Sequence, residues 1–428
     1  MHSMFPAEYS KGSVPQQALD LLEKTAEHLF VTGKAGTGKT TLLRYLKEKS
    51  KKNIVIVAPT GVSAIHIKGQ TIHSFFRFPP KYIRKENLRR LRNSSLMRKM
   101  DTLMIDEVSM LRADLLDGID YSLRLNRDEM KKPFGGVQVF FFGDLYQLPP
   151  VVDREMKEVF DLDYQSPYFF SARVFQELKL KKLELTEVHR QKDGEFLSLL
   201  EKIRTKTMTK MDLSQINRLT ENEFDEESSV ILTTTNQRAG AINKMRLARL
   251  TGQEFVYKAS VNGQFEYGSF PTDDHLSLKK GAQIMLIRND DQKRWVNGTL
   301  AKVHDLDQDF IRVEINGSIH DVTPFIWEKI SYTYNDVEDK IDEKVMGRFE
   351  QYPIKLAWAV TIHKSQGQTF DKIVVDFDTG AFSHGQVYVA LSRCTSMAGI
   401  TLRRPLLHSD VILDERIHRF KEDCLSIG

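Results

Sequence analysis

The stretch HLFVTGKAGTGKTTLLRYLKEK, residues 28–49, decides the fold of this 428-residue chain. Residues 28–32 form a β-rich run and residues 39–49 have apolar side chains at helical spacing, so a strand, a glycine-rich turn and a helix are predicted. The turn from Gly33 to Thr40 matches the pattern G-x-x-x-x-G-K-[ST]. Its glycines let backbone amides wrap around phosphate oxygens, and the helix N-terminus adds a favourable dipole. The stretch therefore predicts a P-loop, which binds the phosphates of a nucleotide.

The residues of this loop have separate predicted roles in binding ATP and Mg²⁺. The Lys39 ammonium would reach the β- and γ-phosphates, and the Thr40 hydroxyl would bind the metal. An ordinary glycine-rich turn is the alternative, and the placement between a strand and a helix weighs against it. The predicted ATP-binding residues of the loop are Gly33, Ala35, Gly36, Thr37, Gly38, Lys39 and Thr40.

Short apolar runs on the C-terminal side of the loop predict a parallel α/β sheet, because strands buried on both faces have this pattern. The runs, each ending in a polar or turn element, are 54–58, 102–105 and 137–142. A second α/β set begins near Leu183, and its clearest strands are at 230–235 and 372–377. Between about 250 and 350 short strands and turns dominate, which predicts a small antiparallel β barrel.

These patterns divide the chain into two α/β domains, each with an insert. The first domain is predicted at 1–185, with a small insert at about 76–95 that begins around Pro79 and Pro80. The second domain is predicted to combine 186–250 with 345–428. The β-barrel insert, 251–344, would separate those two parts.

Two further motifs follow predicted strands and suit phosphoryl transfer, which needs a carboxylate for magnesium and a water oriented for in-line attack. Asp106 and Glu107, after TLMI, suit the metal and the water respectively. Acidic residues in the first turn of a helix are the alternative explanation. Gln147, in GDLYQLPP, can donate and accept hydrogen bonds, so it would sense the γ-phosphate and the attacking water together. A plain turn rich in Gly, Asp and Pro is the alternative there.

Two arginines of the second predicted domain are candidates for stabilising a transferring phosphoryl group. They are Arg190, in LTEVHRQ, and Arg393, in VYVALSRC. Both would approach a nucleotide lying between two α/β domains. A surface or ion-pairing arginine is the usual alternative, and the residues alone do not decide between the two.

Composition excludes several classes of protein. Hydrophobic residues make up 41% and charged residues 28%, as in soluble globular proteins. The sequence contains no run of 18 or more apolar residues, so no membrane span is predicted. The N-terminal sequence also lacks the pattern of a signal peptide. Only two cysteines are present, Cys394 and Cys424, which is too few for a disulfide framework. A reducing compartment is therefore predicted, most simply the bacterial cytoplasm.

The net charge of +4 is small, but basic residues are concentrated near the predicted first insert. Such a segment is often only a solvated helix face. Beside a nucleotide-binding motif it favours a surface that contacts the phosphates of a nucleic acid. The basic residues are Arg77, Lys81, Arg84, Lys85, Arg89, Arg90, Arg92, Arg98 and Lys99, with Glu86 as the one acid.

This set of motifs resembles the Pif helicase family, in the 5′-to-3′ branch of helicase superfamily 1. The matching segments occur in the family's order from near Gly33 to Cys394, so the resemblance covers most of the chain. RecD-type helicases share the general plan, but QGQTF and ALSRC are more similar to the Pif branch. The segments are GKAGTGKT, APTGVSAIHI, TIHSFF, MIDEVSML, FFGDLYQLPPV, LTEVHRQ, AWAVTIHKSQGQTF and VYVALSRC.

The resemblance implies two RecA-like α/β domains with ATP and Mg²⁺ bound between them, a small wedge insert in the first and a β-barrel insert in the second. It implies that Asp106 binds the metal together with Thr40 and that Glu107 is the catalytic base. Gln147, Arg190 and Arg393 would contact the γ-phosphate, and Gly367 would lie at the ATP site. Either Gln16 or Gln17 would contact the adenine.

The resemblance also implies a channel for single-stranded DNA. Hydroxyls and backbone amides there would contact phosphates without reading sequence, and Phe75 or Phe76 would stack on bases, with at least one of this pair buried. His73 and His363 are not predicted to bind a metal, because no second ligand lies at a useful spacing from either residue. The implied DNA-binding residues are Thr60, Gly61, His73, Ser74, Phe75, Thr234, Asn236, Thr361, His363 and Lys364.

The implied function is ATP-dependent, 5′-to-3′ DNA unwinding in replication, repair, recombination or telomere-type maintenance. Implied partners are single-stranded DNA and junctions of single- and double-stranded DNA, with G-quadruplexes and DNA–RNA hybrids left open, no membrane, and a monomer or weak dimer on DNA. Rival classes are a single-strand-binding protein with a vestigial P-loop, a protein-remodelling ATPase and an RNA helicase. DNA-stimulated hydrolysis separates the first two from a helicase, and matched DNA and RNA duplexes separate the third.

Overall fold

The structure, a computed structural model, describes residues 13–152, 154–188, 191, 193–223, 229–423 and 425–426. Within these residues no helix has both the length and the apolar character needed to cross a bilayer. The helices are α1 Val14–Lys24, α2 Lys39–Lys49, α3 Gly61–His66, α4 Ile72–Phe76, α5 Ser95–Lys99, α6 Ala113–Arg127, α7 Arg154–Asp163, α8 Gly194–Arg204, α9 Lys210–Asn217, α10 Asn236–Arg249, α11 Gln386–Leu391 and α12 Arg416–Asp423.

The strands belong to five sheets. Those of the first half are β1 His28–Gly33, β2 Ile54–Ala58, β3 Gln70–Thr71, β4 Thr102–Ile105, β5 Gln138–Phe142, β6 Leu180–Leu185 and β7 Val230–Thr233. Those that follow are β8 Phe255–Lys258, β9 Ser260–Gly263, β10 His275–Leu278, β11 Gln283–Leu286, β12 Leu300–Leu306, β13 Ile311–Ile315, β14 Ser318–Val322, β15 Phe325–Asn335, β16 Lys340–Gln351, β17 Ile354–Leu356, β18 Ala359–Thr361, β19 Ile373–Asp376, β20 Ile400–Leu402 and β21 Leu425–Ser426.

The first sheet has seven parallel strands in the order β21-β6-β1-β5-β4-β2-β3. Every residue of β2, β4 and β5 is buried, as the continuous apolar runs predict for strands covered on both faces. Helix α2 packs its Leu42, Leu43 and Leu46 into the same core as β1 and β5. Its last turn carries Lys47 and Lys49, which complement the helix dipole. The predicted parallel α/β sheet is confirmed.

The second sheet has four parallel strands in the order β18-β7-β19-β20. It contains the two strands predicted near 230 and 372. The prediction that the second set begins near Leu183 is wrong, because Leu183 lies in β6 and pairs with Val31 of the first sheet. The end of the chain also differs from the predicted 345–428 boundary, since β21 pairs with β6.

The insert between α10 and β18 is antiparallel, as predicted, but it is divided among sheets of five, three and two strands rather than forming one continuous barrel. Its end also lies beyond residue 344. Strand β16 runs to Gln351, and β17 then pairs with β11 inside the five-stranded sheet. The insert therefore returns to the second parallel sheet between Leu356 and Ala359.

The basic segment after α4 has little regular structure and packs against α6. The Ile83 amide donates to Asp114 and the Leu91 amide donates to Asn126, each at 2.8 Å. Arg90 forms an ion pair with Asp128 at the end of α6. The segment is thus fixed to the first domain, with most of its basic side chains exposed.

Candidate active site and nucleic-acid interface

Three of the predicted motifs lie at the carboxyl ends of the neighbouring strands β1, β5 and β4. The P-loop follows β1, the GDLYQ segment follows β5 and Asp106-Glu107 follows β4. Parallel strands present their carboxyl ends at one edge of a sheet, which is where α/β proteins bind ligands. The central strand order therefore brings the predicted ATP residues of the first domain together.

The P-loop needs glycine at two positions for different reasons. A Cβ on Gly33 would lie 2.5 Å from the carbonyl oxygen of Leu185, so only glycine fits against β6 there. Gly38 has a φ of +86° at the N-cap of α2, a left-handed conformation that side chains disfavour. The loop is therefore shaped by local sterics, and it leads into the N-terminus of α2, which favours phosphate binding.

Lys39 is held by the loop itself in this structure. Its ammonium donates to the carbonyl oxygens of Gly33 at 2.7 Å and Lys34 at 2.9 Å. Burial lowers the pKa of Lys39, and the nearby carboxylates of Asp144 and Glu107 oppose that shift. The lysine is thus placed among carboxylates and backbone oxygens, all of which favour its charged form.

Asp106, which is buried, and Glu107, which is half-buried, form an acidic pair beside Lys39. Burial, followed by the charge of Glu107, raises the pKa of Asp106 to about 7. Burial also raises the pKa of Glu107, while Lys39 and Arg393 act in the opposite direction. Glu107 has a φ of +50°, and such strain in a non-glycine residue is typical of functional sites.

The site suits Mg²⁺ shared with a nucleotide. No group of three or more His, Cys, Asp or Glu side chains able to hold a metal was found in the part of the chain that the structure describes. The predicted metal ligands, the Asp106 carboxylate and the Thr40 hydroxyl, lie at this edge, and Thr40 is half-buried. Magnesium commonly takes one or two carboxylates and completes its octahedron with phosphate oxygens and waters.

The second domain contributes Arg393 to the same cluster. Its guanidinium is 1% exposed and donates to Val389 O at 2.9 Å and Ser392 Oγ at 2.9 Å. Its charge acts on Glu107, so the two predicted catalytic residues lie within electrostatic reach of each other. Arg393 is therefore a buried arginine near a candidate catalytic carboxylate, and not the surface arginine that was the alternative interpretation of the sequence.

Gln147 also lies where the two domains meet. It is 6% exposed, and its Oε1 accepts a hydrogen bond of 3.4 Å from Gln366 Nε2. Gly367 follows with a φ of +79°. Gln147 and Gly367 are thus brought toward one another by the contact of the GDLYQ and HKSQG segments.

Two other ATP-site predictions have different outcomes. Arg190 lies outside the described residues, although Gln191 beside it donates to Ser392 O at 2.9 Å. Gln16 and Gln17 lie on α1, which packs against α2, the helix that follows the P-loop. Gln16 donates to Asp20 at 3.0 Å within its own helix.

The predicted phosphate-binding threonines follow strands β2, β7 and β18. Thr60 is the N-cap of α3, where its hydroxyl accepts from the Ser63 amide at 3.2 Å. Thr361, 3% exposed, accepts from the Lys364 amide at 3.3 Å. These hydroxyls are therefore already engaged, and Gly61, Thr234, Asn236 and His363 lie beside them at the same strand ends.

The aromatic pair predicted to stack on bases is buried, Phe75 being 7% and Phe76 2% exposed. The Phe75 ring lies 6.1 Å from the ring of Tyr332 on β15 of the insert. The Tyr332 hydroxyl contacts the Ile56 amide at 3.3 Å, and Ser269 lies against Gly61. Phe75 is consequently covered by the insert, whereas Ser74 on the same short helix is exposed.

Sequence reasoning missed several residues of this region. Asp144 lies in the GDLYQLPP motif and Tyr388 in VYVALSRC, but neither had a predicted role. Arg204 lies at the end of α8, outside every motif, and no local pattern marks it. Asp144 and Arg204 form a buried ion pair at 3.0 Å. The position of Asp144 just after the buried strand β5 is the signal that could have marked it as functional.

Comparison with known proteins agrees with this geometry. The family profile described as PIF1-like helicase matches residues 13–218, and that described as the 2B domain of DNA helicase Pif1 matches residues 267–306. The curated ATP-dependent DNA helicase Pif1 of Bdellovibrio bacteriovorus is 32% identical over 424 residues, covering 95% of this chain and 91% of that protein.

Two crystal structures of the Bacteroides Pif1 helicase extend the comparison. The complex with ADP-AlF4 has a TM-score of 0.88 at 36% identity, covering 97% of each chain. The complex with ADP-AlF3 and single-stranded DNA has a TM-score of 0.68 at the same identity and coverage. The present arrangement of domains therefore matches the former better. With its two RecA-like sheets, its P-loop and a curated Pif1 helicase matched over 91% of that protein, this chain belongs to the PIF1-like helicase family.

Proposed function

We propose that this ATP-dependent DNA helicase hydrolyses ATP between its two parallel sheets and moves 5′-to-3′ along single-stranded DNA. The observation that carries the proposal is the cluster of Lys39, Glu107 and Arg393, which joins the P-loop, the strand end of β4 and the second domain. Such a cluster changes its contacts whenever the two sheets move relative to each other. Hydrolysis and domain motion are thereby linked.

Each residue of the ATP site has a proposed part in hydrolysis. Lys39 would exchange the carbonyls of Gly33 and Lys34 for phosphate oxygens. Thr40 and Asp106 would hold Mg²⁺, which would supply positive charge to the phosphates. Glu107 accepts a proton from the attacking water. Gln147 and Arg393 contact the γ-phosphate, as does Arg190. The adenine contact is assigned to Gln16 or Gln17.

Single-stranded DNA is proposed to cross the carboxyl ends of β2, β7 and β18. Backbone amides near Thr60, Gly61, Thr234 and Asn236 would bind phosphates, and His363 and Lys364 would add polar and charged contacts. Ser74 is already exposed, and Phe75 would become accessible, with His73 beside it, once Tyr332 moves away. The lower TM-score to a DNA-bound relative supports such a rearrangement, since identity and coverage are unchanged.

The proposed partners are single-stranded DNA and its junctions with duplex, as the relatives crystallised with single-stranded and forked DNA suggest. G-quadruplexes, DNA–RNA hybrids and action as a monomer or weak dimer remain predictions from the resemblance. So do the bacterial cytoplasm and roles in replication, repair or recombination.

Tailed duplexes test polarity and substrate together. We expect a duplex with a 5′ single-stranded DNA tail to be unwound at least about tenfold faster than one with a 3′ tail, because translocation in one direction reaches only one junction. Stopped-flow fluorescence of strand separation measures both rates. Faster unwinding from the 3′ tail would overturn the polarity, and faster unwinding from a 5′ RNA tail than from a 5′ DNA tail would favour an RNA helicase.

The exposed arginines of the basic segment are proposed to contact the duplex at the junction. A groove of about 380 Å³ lies on this segment, with Arg77, Arg89 and Arg92 on its walls and the stacked rings of Phe76 and Phe78 at its base. Arg90 also lines the groove but is paired with Asp128. Arginines grouped on one surface attract the phosphate backbone of DNA.

Replacing Arg89 and Arg92 together by glutamine is expected to weaken binding to a forked junction. Loss of two phosphate contacts should make binding less sensitive to salt, reducing the magnitude of the negative slope of log K against log salt by about two. Fluorescence anisotropy from 50 to 200 mM salt measures the slope. The double variant Lys210→Gln/Lys244→Gln, in the second domain, removes the same charge and should leave the slope unchanged. If the Arg89/Arg92 double variant has the same slope as the wild type, the proposal that this segment contacts the duplex is contradicted.

A further inference from the structure

A buried polar cluster links the ATP site to the second domain through residues not yet given a role. It consists of Asp144 after β5, Arg204 at the end of α8 and Tyr388 on α11. Their exposed fractions are 1%, 3% and 4%. Three buried polar side chains from three separate segments thus meet beside the P-loop.

The Tyr388 hydroxyl makes the contact to the P-loop. It accepts a hydrogen bond of 3.1 Å from the Ala35 amide and donates to Asp144 Oδ2 at 3.5 Å. A buried phenol with one acceptor and one donor contact has a defined orientation. The backbone of the P-loop is thus tied by one oxygen atom to a helix of the second domain.

Arg204 fixes the other side of Asp144. Its Nη2 donates to Asp144 Oδ1 at 3.0 Å, and its guanidinium lies 4.0 Å from the centre of the Tyr146 ring and 6.0 Å from that of Tyr388. Burial opposes ionisation of Asp144, but Arg204 and Lys39 lower its pKa overall. A buried ion pair adds little net stability, and its geometric specificity is the property that matters here.

A second contact of α8 reaches the same loop. Glu201, one turn before Arg204, accepts from Arg204 at 3.2 Å and pairs with Lys34 of the P-loop at 3.2 Å. Helix α8 also packs against α11. Movement of the P-loop therefore acts on α8 through Lys34 and on α11 through Ala35.

Helix α11 leads directly to Arg393, five residues after Tyr388. Nε of Arg393 donates to Val389 O, so its guanidinium is anchored on the same helix. Any shift of α11 relative to the P-loop consequently moves Arg393 relative to the phosphates. We infer that Tyr388, oriented by Asp144 and Arg204, is a positioning residue that places Arg393 for ATP hydrolysis; this rests on the proposed role of Arg393.

Tyr388→Phe tests the inference, because it removes the hydroxyl and keeps the ring. We expect kcat for DNA-stimulated ATP hydrolysis to fall about tenfold, the change that corresponds to one or two ordinary hydrogen bonds. KM for ATP and the Kd for single-stranded DNA should stay within about twofold, because neither ligand touches the hydroxyl. kcat is expressed per site that binds a fluorescent ADP analogue, so misfolded protein does not contribute.

Tyr168→Phe is the matched control. Tyr168 is 1% exposed, and its buried hydroxyl has no hydrogen-bond partner among the residues that the structure describes. Losing that hydroxyl should leave kcat per active site unchanged. An equal fall of kcat in both variants, or no fall in Tyr388→Phe, would overturn the inference.

A double-mutant cycle with Arg393→Lys separates this inference from the proposed role of Arg393. If Tyr388 acts through Arg393, Tyr388→Phe has less than about a twofold effect when Arg393 is already lysine. Full additivity of the two effects would overturn the inference while leaving the role of Arg393 intact. If Arg393→Lys alone has the wild-type kcat, the proposed role of Arg393 fails, and the inference fails with it.

Discussion

Replacing Glu107 by glutamine is expected to lower DNA-stimulated ATP hydrolysis by about 10²- to 10⁴-fold. Glutamine keeps the shape of the side chain but cannot accept the proton of the attacking water. Glu107 has a strained backbone and lies within electrostatic reach of Lys39 and Arg393, as we expect for a carboxylate that orients a nucleophile. Steady-state phosphate release with saturating single-stranded DNA measures the loss.

DNA binding distinguishes a catalytic loss from a folding defect in this variant. Glu107→Gln should bind single-stranded DNA within about twofold of the wild-type Kd, since no proposed DNA contact involves the strand end of β4. Glu129→Gln, an exposed glutamate that pairs with Lys132 on the surface, is the matched control and should retain full activity. Hydrolysis by Glu107→Gln at more than about a tenth of the wild-type rate would remove Glu107 from the role of base.

Replacing Lys39 by methionine is expected to raise the Kd for Mg-ADP about 100-fold. Truncating one partner of a buried, charge-assisted contact costs about 2–5 kcal/mol. The nucleotide-free protein should stay folded, because the lysine donates only to carbonyls of its own loop and burial opposes its charge. The defect should therefore appear in ligand binding and not in the fold.

Thermal unfolding with and without Mg-ADP measures this defect. At a ligand concentration 100 times the wild-type Kd, binding stabilises the wild type by about 2.7 kcal/mol, and a 100-fold weaker site retains about 0.4 kcal/mol. Lys34→Met is the matched control: its ammonium, in the same loop, pairs with Glu201. A full ligand-induced shift in Lys39→Met would contradict the assignment of Lys39 to the phosphates.

Local pattern was sufficient for the parallel sheet and its loops. The strand and helix around the P-loop were predicted at 28–32 and 39–49 and are observed at His28–Gly33 and Lys39–Lys49. A continuous apolar run identifies a doubly covered strand because such a strand contacts side chains on both faces. The end of each strand then locates the polar residues of the site.

Pairing partners could not be obtained in the same way. Leu183 lies in an amphipathic strand whose sequence does not say which sheet it joins, and it pairs with β1 rather than with β7. The boundary of the insert was missed for a related reason. Strand β17 is followed almost at once by β18, so no loop or change of composition marks the passage between sheets.

Contacts between distant segments account for the remaining differences. Phe75 is covered by Tyr332, which lies more than 250 residues later in the chain, so its burial depends on a domain arrangement. Arg204 meets Asp144 only after the two domains have assembled. Neither contact leaves a periodic signal in the sequence.

The return of the chain to its first sheet has a mechanical consequence. The chain leaves that sheet after β6 and comes back through α12, whose Phe420 stacks on Phe170 at 4.6 Å, into β21 beside β6. Both crossings thus lie at one edge of the sheet. If the contacts of the insert with the opposite side of the sheet were released, the two halves would rotate about a line through this edge, where the chain connects them.

Distance from that line then sets how far each region travels. Strand β1, with the P-loop, is one strand from β6, whereas β3 at the opposite edge is five strands away, or roughly 24 Å. A rotation that displaces the second domain slightly at the P-loop displaces it about five times as far near α3 and α4. We therefore expect a small closure on phosphate at the P-loop to become a larger displacement where the DNA contacts are proposed.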